Sequence, residues 1–247
     1  MPPIFALANV SAGLGLLALA LAAAGPALIH LGLLTPMRGF NAFGLGLVTG
    51  LLALLTGLVA LWFTRPATGR GGRSRAVQGA LCGALVIGIV FNAARPGSGA
   101  PPVNDITTNP QDPPMFSAAL GLPENVGRDM SYDASALAEL TRTSYPDLQT
   151  LRVALAPDAA HAAALAAIES LGWQLTESSP ADGRIEARDV SAVFRFVDDV
   201  AIRIRPDGSG SAIDLRSKSR DGRGDLGANA ARIREFREAL TARTGAH

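Results

Sequence analysis

The sequence predicts an α+β protein: three N-terminal transmembrane helices, then a soluble domain with an antiparallel sheet packed by two main helices in the order β-α-β-β-β-β-α. Three observations carry that expectation. Charge is segregated, since residues 1–95 hold six Arg and neither Asp nor Glu, while all 21 carboxylates fall in 96–247. Three long apolar runs occupy the acid-free part. Beyond them, two alternating apolar-polar stretches are each split by a Gly-containing turn, and two others carry helical stripes.

The first apolar run, FALANVSAGLGLLALALAAAGPALIHLGLL, exceeds the thickness of a bilayer core of about 30 Å. Pro26 is expected to kink or end it. A cleaved signal peptide is the rival reading, but the leading residues lack Lys and Arg and two more spans follow. The spans are placed at about 5–29, 43–63 and 77–94 within a membrane domain covering 1–95. The loop after the second carries Arg65, Arg70, Arg73 and Arg75; the loop before it carries only Arg38. Basic loops stay in the cytoplasm, which puts the N-terminus inside and everything after Arg95 outside, the periplasm in a two-membrane cell. No charged side chain sits mid-span, so an ion or proton path has no candidate. Gly46 with Gly50, and Gly79 with Gly83, are small-xxx-small pairs through which helices, or two copies of the chain, could approach closely.

Residues 96–116, rich in Pro and Gly, read as an extended linker to a soluble domain at 117–247. A short helix is expected at Tyr132–Thr143 and a strand near Thr150–Leu155. Then comes PDAAHAAALAAIESLGW: Pro157 suits a first turn, Leu165, Ile168 and Leu171 form a stripe shared by His161, and Gly172 suits the stop. WQLTES and RIEAR form a first hairpin with Trp173, Leu175, Ile185 and Ala187 inward. VFRFVDDVAIRIR and SAIDLRSKS form a second around DGSG. Parity sets its register: Ile204 faces Ile213, Ile202 faces Leu215, Val200 faces Ser217, Arg203 meets Asp214 and Asp199 meets Lys218. The same ladder sets Asp198 opposite Ser219, on an apolar face with Phe194 and Phe196. The last helix bears Leu226, Ala230, Ile233, Phe236 and Leu240 on one stripe, with Asp225 as N-cap.

Gly222, Gly224 and Gly227 spell the G-x-G-x-x-G of a dinucleotide loop. Only TGAH follows the helix, so no βαβ unit closes, and Asp225 occupies the place of a phosphate. The glycines read as a strand-to-helix turn, and no nucleotide or other cofactor is implied. Polar residues crowd that turn: Asp198, Asp199, Arg203, Arg216, Ser217, Ser219, Arg220, Asp225 and Asn229 are the candidate site. They form either a structural network in which Asp198 joins Ser219 and Arg220, or a pocket for a small polar or anionic ligand lined by Arg216 and Arg220. No catalytic residue is assigned. A triad would depend on His161, no nucleophile elbow is present, and adjacent Asp198 and Asp199 face opposite ways. Metal-ligand spacing is missing, with one cysteine, Cys82, and three histidines. Sixteen cations against 21 carboxylates leave 96–247 near −5, which argues against nucleic acid.

The runs DITTNPQDPPMF, YPDL, GRIEAR, FRFVDDVAIRI and IDLRSKSRDGRGDLGANAARIREF resemble the bacterial and plastid family called domain of unknown function 1499, over about 104–243. The resemblance implies a small envelope or lumen protein, often preceded by membrane spans, and supplies no activity. By analogy the shared polar positions fall on Asp198, Asp199, Arg203, Arg216, Ser217, Ser219, Arg220, Asp225, Leu226, Gly227, Asn229 and Arg232. Arg195 stands where the family pattern has glycine. The expected function is that of an inner-membrane protein whose outer domain binds an envelope protein or small envelope component without catalysis. The alternative is an envelope hydrolase using Asp198, Ser217 and Arg220.

Overall fold

The computed structural model describes residues 3–66 and 71–244, so Arg70 and the terminal His247 lie outside the described residues. The chain divides into two compact units, Met1–Arg95 with Ala192–Arg195, and Pro96–Ser191 with Phe196–His247.

The first unit contains α1 (Pro3–His30), α2 (Pro36–Phe63) and α3 (Arg73–Ala94). Each is long and apolar enough to cross a membrane. Pro26 lies inside α1 and does not end it, because the helix runs four residues further. Two helices start earlier than expected. Thr35 caps α2 by accepting from the Arg38 N–H at 3.4 Å, with Pro36 at the first helical position. The helices meet through small residues: Ala8, Ala18, Ala53, Ala60 and Ala76 are fully buried, while Leu16, Leu17, Leu52, Leu55, Leu81 and Leu85 point outward. Lipid is as apolar as leucine, so no hydrophobic gradient draws large side chains inward and close backbone packing decides the interface. Ser11 Oγ donates to the Ala53 carbonyl at 2.9 Å. A Cβ on Gly57 would stand 2.8 Å from Ser11 Oγ, and one on Gly46 3.1 Å from the Ala18 oxygen. Gly50 and Gly83 face each other, and Gly79 faces Ser11. Both glycine pairs are thus occupied by contacts within the chain.

The second unit is a six-stranded antiparallel sheet with three helices. Its strands are β1 (Asp105–Thr107), β2 (Leu151–Val153), β3 (Gln174–Ser179), β4 (Arg184–Val190), β5 (Val197–Asp207) and β6 (Gly210–Ser219); its helices are α4 (Ala134–Ser144), α5 (Pro157–Ser170) and α6 (Ala228–Thr244). The order is β1-β6-β5-β4-β3, with β2 also pairing β6, so β1 and β2 share one edge of the longest hairpin. The parity-derived register holds pair for pair: Ile204 with Ile213, Ile202 with Leu215, Val200 with Ser217, Arg203 with Asp214, Asp199 with Lys218 and Asp198 with Ser219. Gly208, at φ +61°, supplies the left-handed turn residue.

On one sheet face α5 and α6 cover Ile185, Ala187, Val200, Ile202, Ile204, Ile213 and Leu215. Gly172 ends α5 at φ +71°: its N–H reaches the Glu169 carbonyl and the Trp173 N–H the Ile168 carbonyl, a Schellman closure. Trp173 then stacks on Phe236 with centroids 5.8 Å apart. The other face is covered by irregular chain, where Phe116, Ala119 and Met130 pack on Ala201.

Four expectations change. Segment 96–116 is not a bare linker: it supplies β1 and buries Val103, Ile106 and Phe116. A three-residue strand is too short to show a period of two. Leu175 is 53 % exposed, because β3 is the outer strand and a bulge follows Leu175. β5 begins at Val197 rather than Val193. Arg195 has φ +56°, which breaks extended chain, and Ala192–Arg195 belong to the first unit, so Phe194 leaves the face shared with Asp198. Leu226 is neither helical nor buried: α6 starts at Ala228, and Leu226 has φ +54° at 61 % exposure.

Candidate functional site

The candidate residues sit on β5, β6 and the turn into α6, and the two-residue period of the strands divides them between the sheet faces. Facing α6 are Asp198, Ser217 and Ser219, all buried, together with Asn229 and Arg232 from the helix. Arg232 is the hub. It donates to Asp198 Oδ2 at 2.6 Å, Asp189 Oδ2 at 2.9 Å, Asn229 Oδ1 at 2.8 Å and Ser217 Oγ at 3.2 Å. Ser217 Oγ donates to Asn229 Oδ1 at 2.6 Å, while Asn229 Nδ2 donates to Ser219 Oγ at 3.0 Å and the Asn104 carbonyl at 3.1 Å. Burial pushes the Asp198 carboxyl above its ordinary value, opposed by the Arg232 charge and the Ser219 hydrogen bond. The neighbouring Asp225 and Asp189 carboxylates push it the same way as burial.

Asp225 is two residues ahead of the helix's N-cap position but still serves its first turn. Its carboxylate accepts from the Gly227 N–H at 2.8 Å and the Asn229 N–H at 2.6 Å. Gly222 and Gly227 have φ of +79° and +81°, so two of the three glycines are required by backbone sense. The G-x-G-x-x-G spacing is a tight turn.

The opposite face holds a second set of charges. Asp199, 1 % exposed, accepts from Arg220 Nε at 2.9 Å, Arg220 Nη2 at 2.7 Å and Asn125 Nδ2 at 3.1 Å. Arg220 was expected beside Asp198. It turns to the carboxylate on its own side of the sheet, and Arg232 takes the other. Arg216 is fully buried. It grips Asp105 with two bonds of 2.9 and 2.7 Å, donates to the carbonyls of Met130 and Ser131, and lies over the Phe116 ring at 4.8 Å. Asp214 receives Arg203 at 2.9 Å, Arg205 and Thr150 at 2.6 Å, and Asn109 at 3.3 Å. Burial raises the Asp214 carboxyl, but the hydrogen bonds from Arg203, Thr150 and Asn109 outweigh it and leave it below the ordinary range. Glu186, 1 % exposed, accepts from the backbone N–H groups of Ser117, Ala118 and Ala119 and from Ser117 Oγ.

Sequence reasoning missed Asp105, Glu186, Asn125 and Arg128, whose partners lie 67 to 113 positions away or in irregular chain. A buried Glu186 between inward Ile185 and Ala187 was the available signal, since an outward strand position holding a lone carboxylate needs a partner if that face is covered. His161 is buried beside Ser178 Oγ and the Arg184 carbonyl, each at 3.5 Å, a packed position. Among the described residues no three His, Cys, Asp or Glu side chains group as a metal would need. Two cavities, of about 310 and 180 Å³, are lined by residues such as Arg152 and Arg205, and Thr141 and Gln149; neither includes Asp198, Ser217 or Arg220.

The arrangement is chemically a double lock. Each candidate cation already binds a carboxylate, and each candidate carboxylate already has a donor. No curated protein matches this chain. A family model matches residues 105–240, the segment that carries both charge layers, and by that match the chain belongs to the family described as protein of unknown function (DUF1499).

Proposed function

We propose that the protein is a membrane-anchored envelope component whose second unit lies outside the cytoplasm and binds a protein or small envelope component without catalysis. The observation that supports the binding reading is the internal saturation of the polar cluster. Asp198 is 4 % exposed and paired with Arg232, Ser217 Oγ donates to Asn229, and Arg220 is committed to Asp199. The hydrolase alternative needs an accessible nucleophile or base among these groups, and no observation favours it. Recognition therefore falls to the outer surface, where Leu120 and Val126 stand 52 % and 76 % exposed on the irregular cover. The arginine-rich loop between α2 and α3 supports an inside N-terminus. Using the glycine faces for a homo-oligomer would require displacing contacts inside the three-helix unit.

Two measurements test the reading. A photoreactive residue at Val126, in full-length protein in its native membrane, is expected to give a discrete adduct that a photoreactive residue at Arg152 does not. Identical smears from both positions would count against a specific surface. A C-terminal alkaline phosphatase fusion is expected to be active and a C-terminal fluorescent fusion dark; the reverse pattern overturns the placement.

A further inference from the structure

We propose that Trp62, Arg65, Arg73 and Arg75 form a seat for the headgroup phosphates of anionic phospholipids. The seat belongs to the first unit alone and holds whichever side of the membrane it faces. α2 ends at Phe63 and α3 begins at Arg73, so an antiparallel pair brings these residues to one end of the helical unit. The start of α1 is there too, since a Cβ on Gly72 would lie 3.2 Å from Ala8 Cβ.

Three features point to phosphate. The first 95 residues contain no Asp or Glu, so no carboxylate of that segment can neutralise Arg73 and Arg75. Arg73 and Arg75 are exposed on the first turn of α3. Arg65 lies 4.0 Å over the Trp62 ring, which is itself 62 % exposed, and its Nε donates to the Trp62 carbonyl at 2.8 Å. Indole rings settle at headgroup depth, so the stacked guanidinium is held where phosphates lie. Arginine's planar fork matches phosphate oxygens with two bonds, more than retention of charge on one side requires.

The experiment uses the full chain in nanodiscs of phosphatidylcholine with a minor share of phosphatidylglycerol. Native mass spectrometry reads the ratio of the two lipids retained by the protein. Wild-type protein is expected to be enriched in phosphatidylglycerol, and Arg73→Gln with Arg75→Gln to lower that enrichment by roughly twenty-five-fold, given about fivefold per basic residue at an anionic surface. Arg73→Lys with Arg75→Lys should retain most of it. Arg65→Gln, which leaves α3 untouched, should lower it by about fivefold and guards against a misfolded double variant. An unchanged ratio in both glutamine variants, or no enrichment in the wild type, overturns the seat.

Discussion

At the scale of single residues, Arg232 illustrates how one side chain holds two elements. It reaches from α6 to Asp198 on β5 and Asp189 on β4. Removing it leaves the buried Asp198 carboxylate without its cation and the half-buried Asp189 with one partner fewer, so Arg232→Ala is expected to destabilise the second unit by about 3–5 kcal/mol. Trp173 fluorescence on heating, in a Trp62→Phe background of the full chain in detergent, reads that loss; an unchanged midpoint would contradict it. Asp214 and Asp198 shift in opposite senses, which separates their pH dependence. Asp214 is depressed, so its contribution is present above the ordinary carboxylate value near 4 and lost as pH falls through its lower folded value. Asp214→Asn should be less stable at neutral pH and show a shallower acid limb. Asp198 is raised, so its contribution is complete below the unfolded value and lost as pH rises through the folded one. Asp198→Asn should therefore flatten stability on the rising side, measured by the same thermal midpoints across pH.

At the scale of elements, hairpin turns offer a controlled comparison. Gly183 joins β3 to β4 at φ +60°, and a Cβ there would run into the Ile204 carbonyl oxygen of the neighbouring strand, which the chain uses closely because Ile204 donates back to the Gly183 carbonyl at 2.7 Å. Gly208 joins β5 to β6 at φ +61° with open space around it. Gly208→Ala is expected to cost about 1–2 kcal/mol from backbone handedness alone. Gly183→Ala should cost clearly more, since strand displacement is added. Equal midpoints for the two variants would refute the crowding argument. The β5–β6 register was legible because a turn of fixed length and a buried face leave one alignment. β1 was not, because three residues of DIT carry no period and their partners, Arg216 to Lys218, lie more than a hundred positions on.

At the scale of the whole chain, the absence of acid before residue 96 and the crowding of 21 carboxylates after it divide the molecule into a lipid-adapted unit and a water-adapted one. The first is held by alanine and glycine contacts. Gly79→Leu would push its side chain into the backbone at Ser11, and is expected to cost about 1–3 kcal/mol of overpacking. Faster cleavage of the α1–α2 connection by protease in detergent would report it; Gly13→Leu, with nothing nearby, should not change the rate.

Periodicity, parity and charge segregation act between neighbours or along one strand, so the sequence alone determined the three spans, the central hairpin, both main helices and the sorting of Asp198 and Asp199 to opposite faces. Partner choice among buried charges depends on distances across the fold. Only the tertiary structure decided that Arg220 answers Asp199, that Arg232 answers Asp198, and that residues 105–131 close over the second face. The physical reason is desolvation: a buried charge must be met by whichever opposite group the packing delivers, and packing joins segments that are remote along the chain.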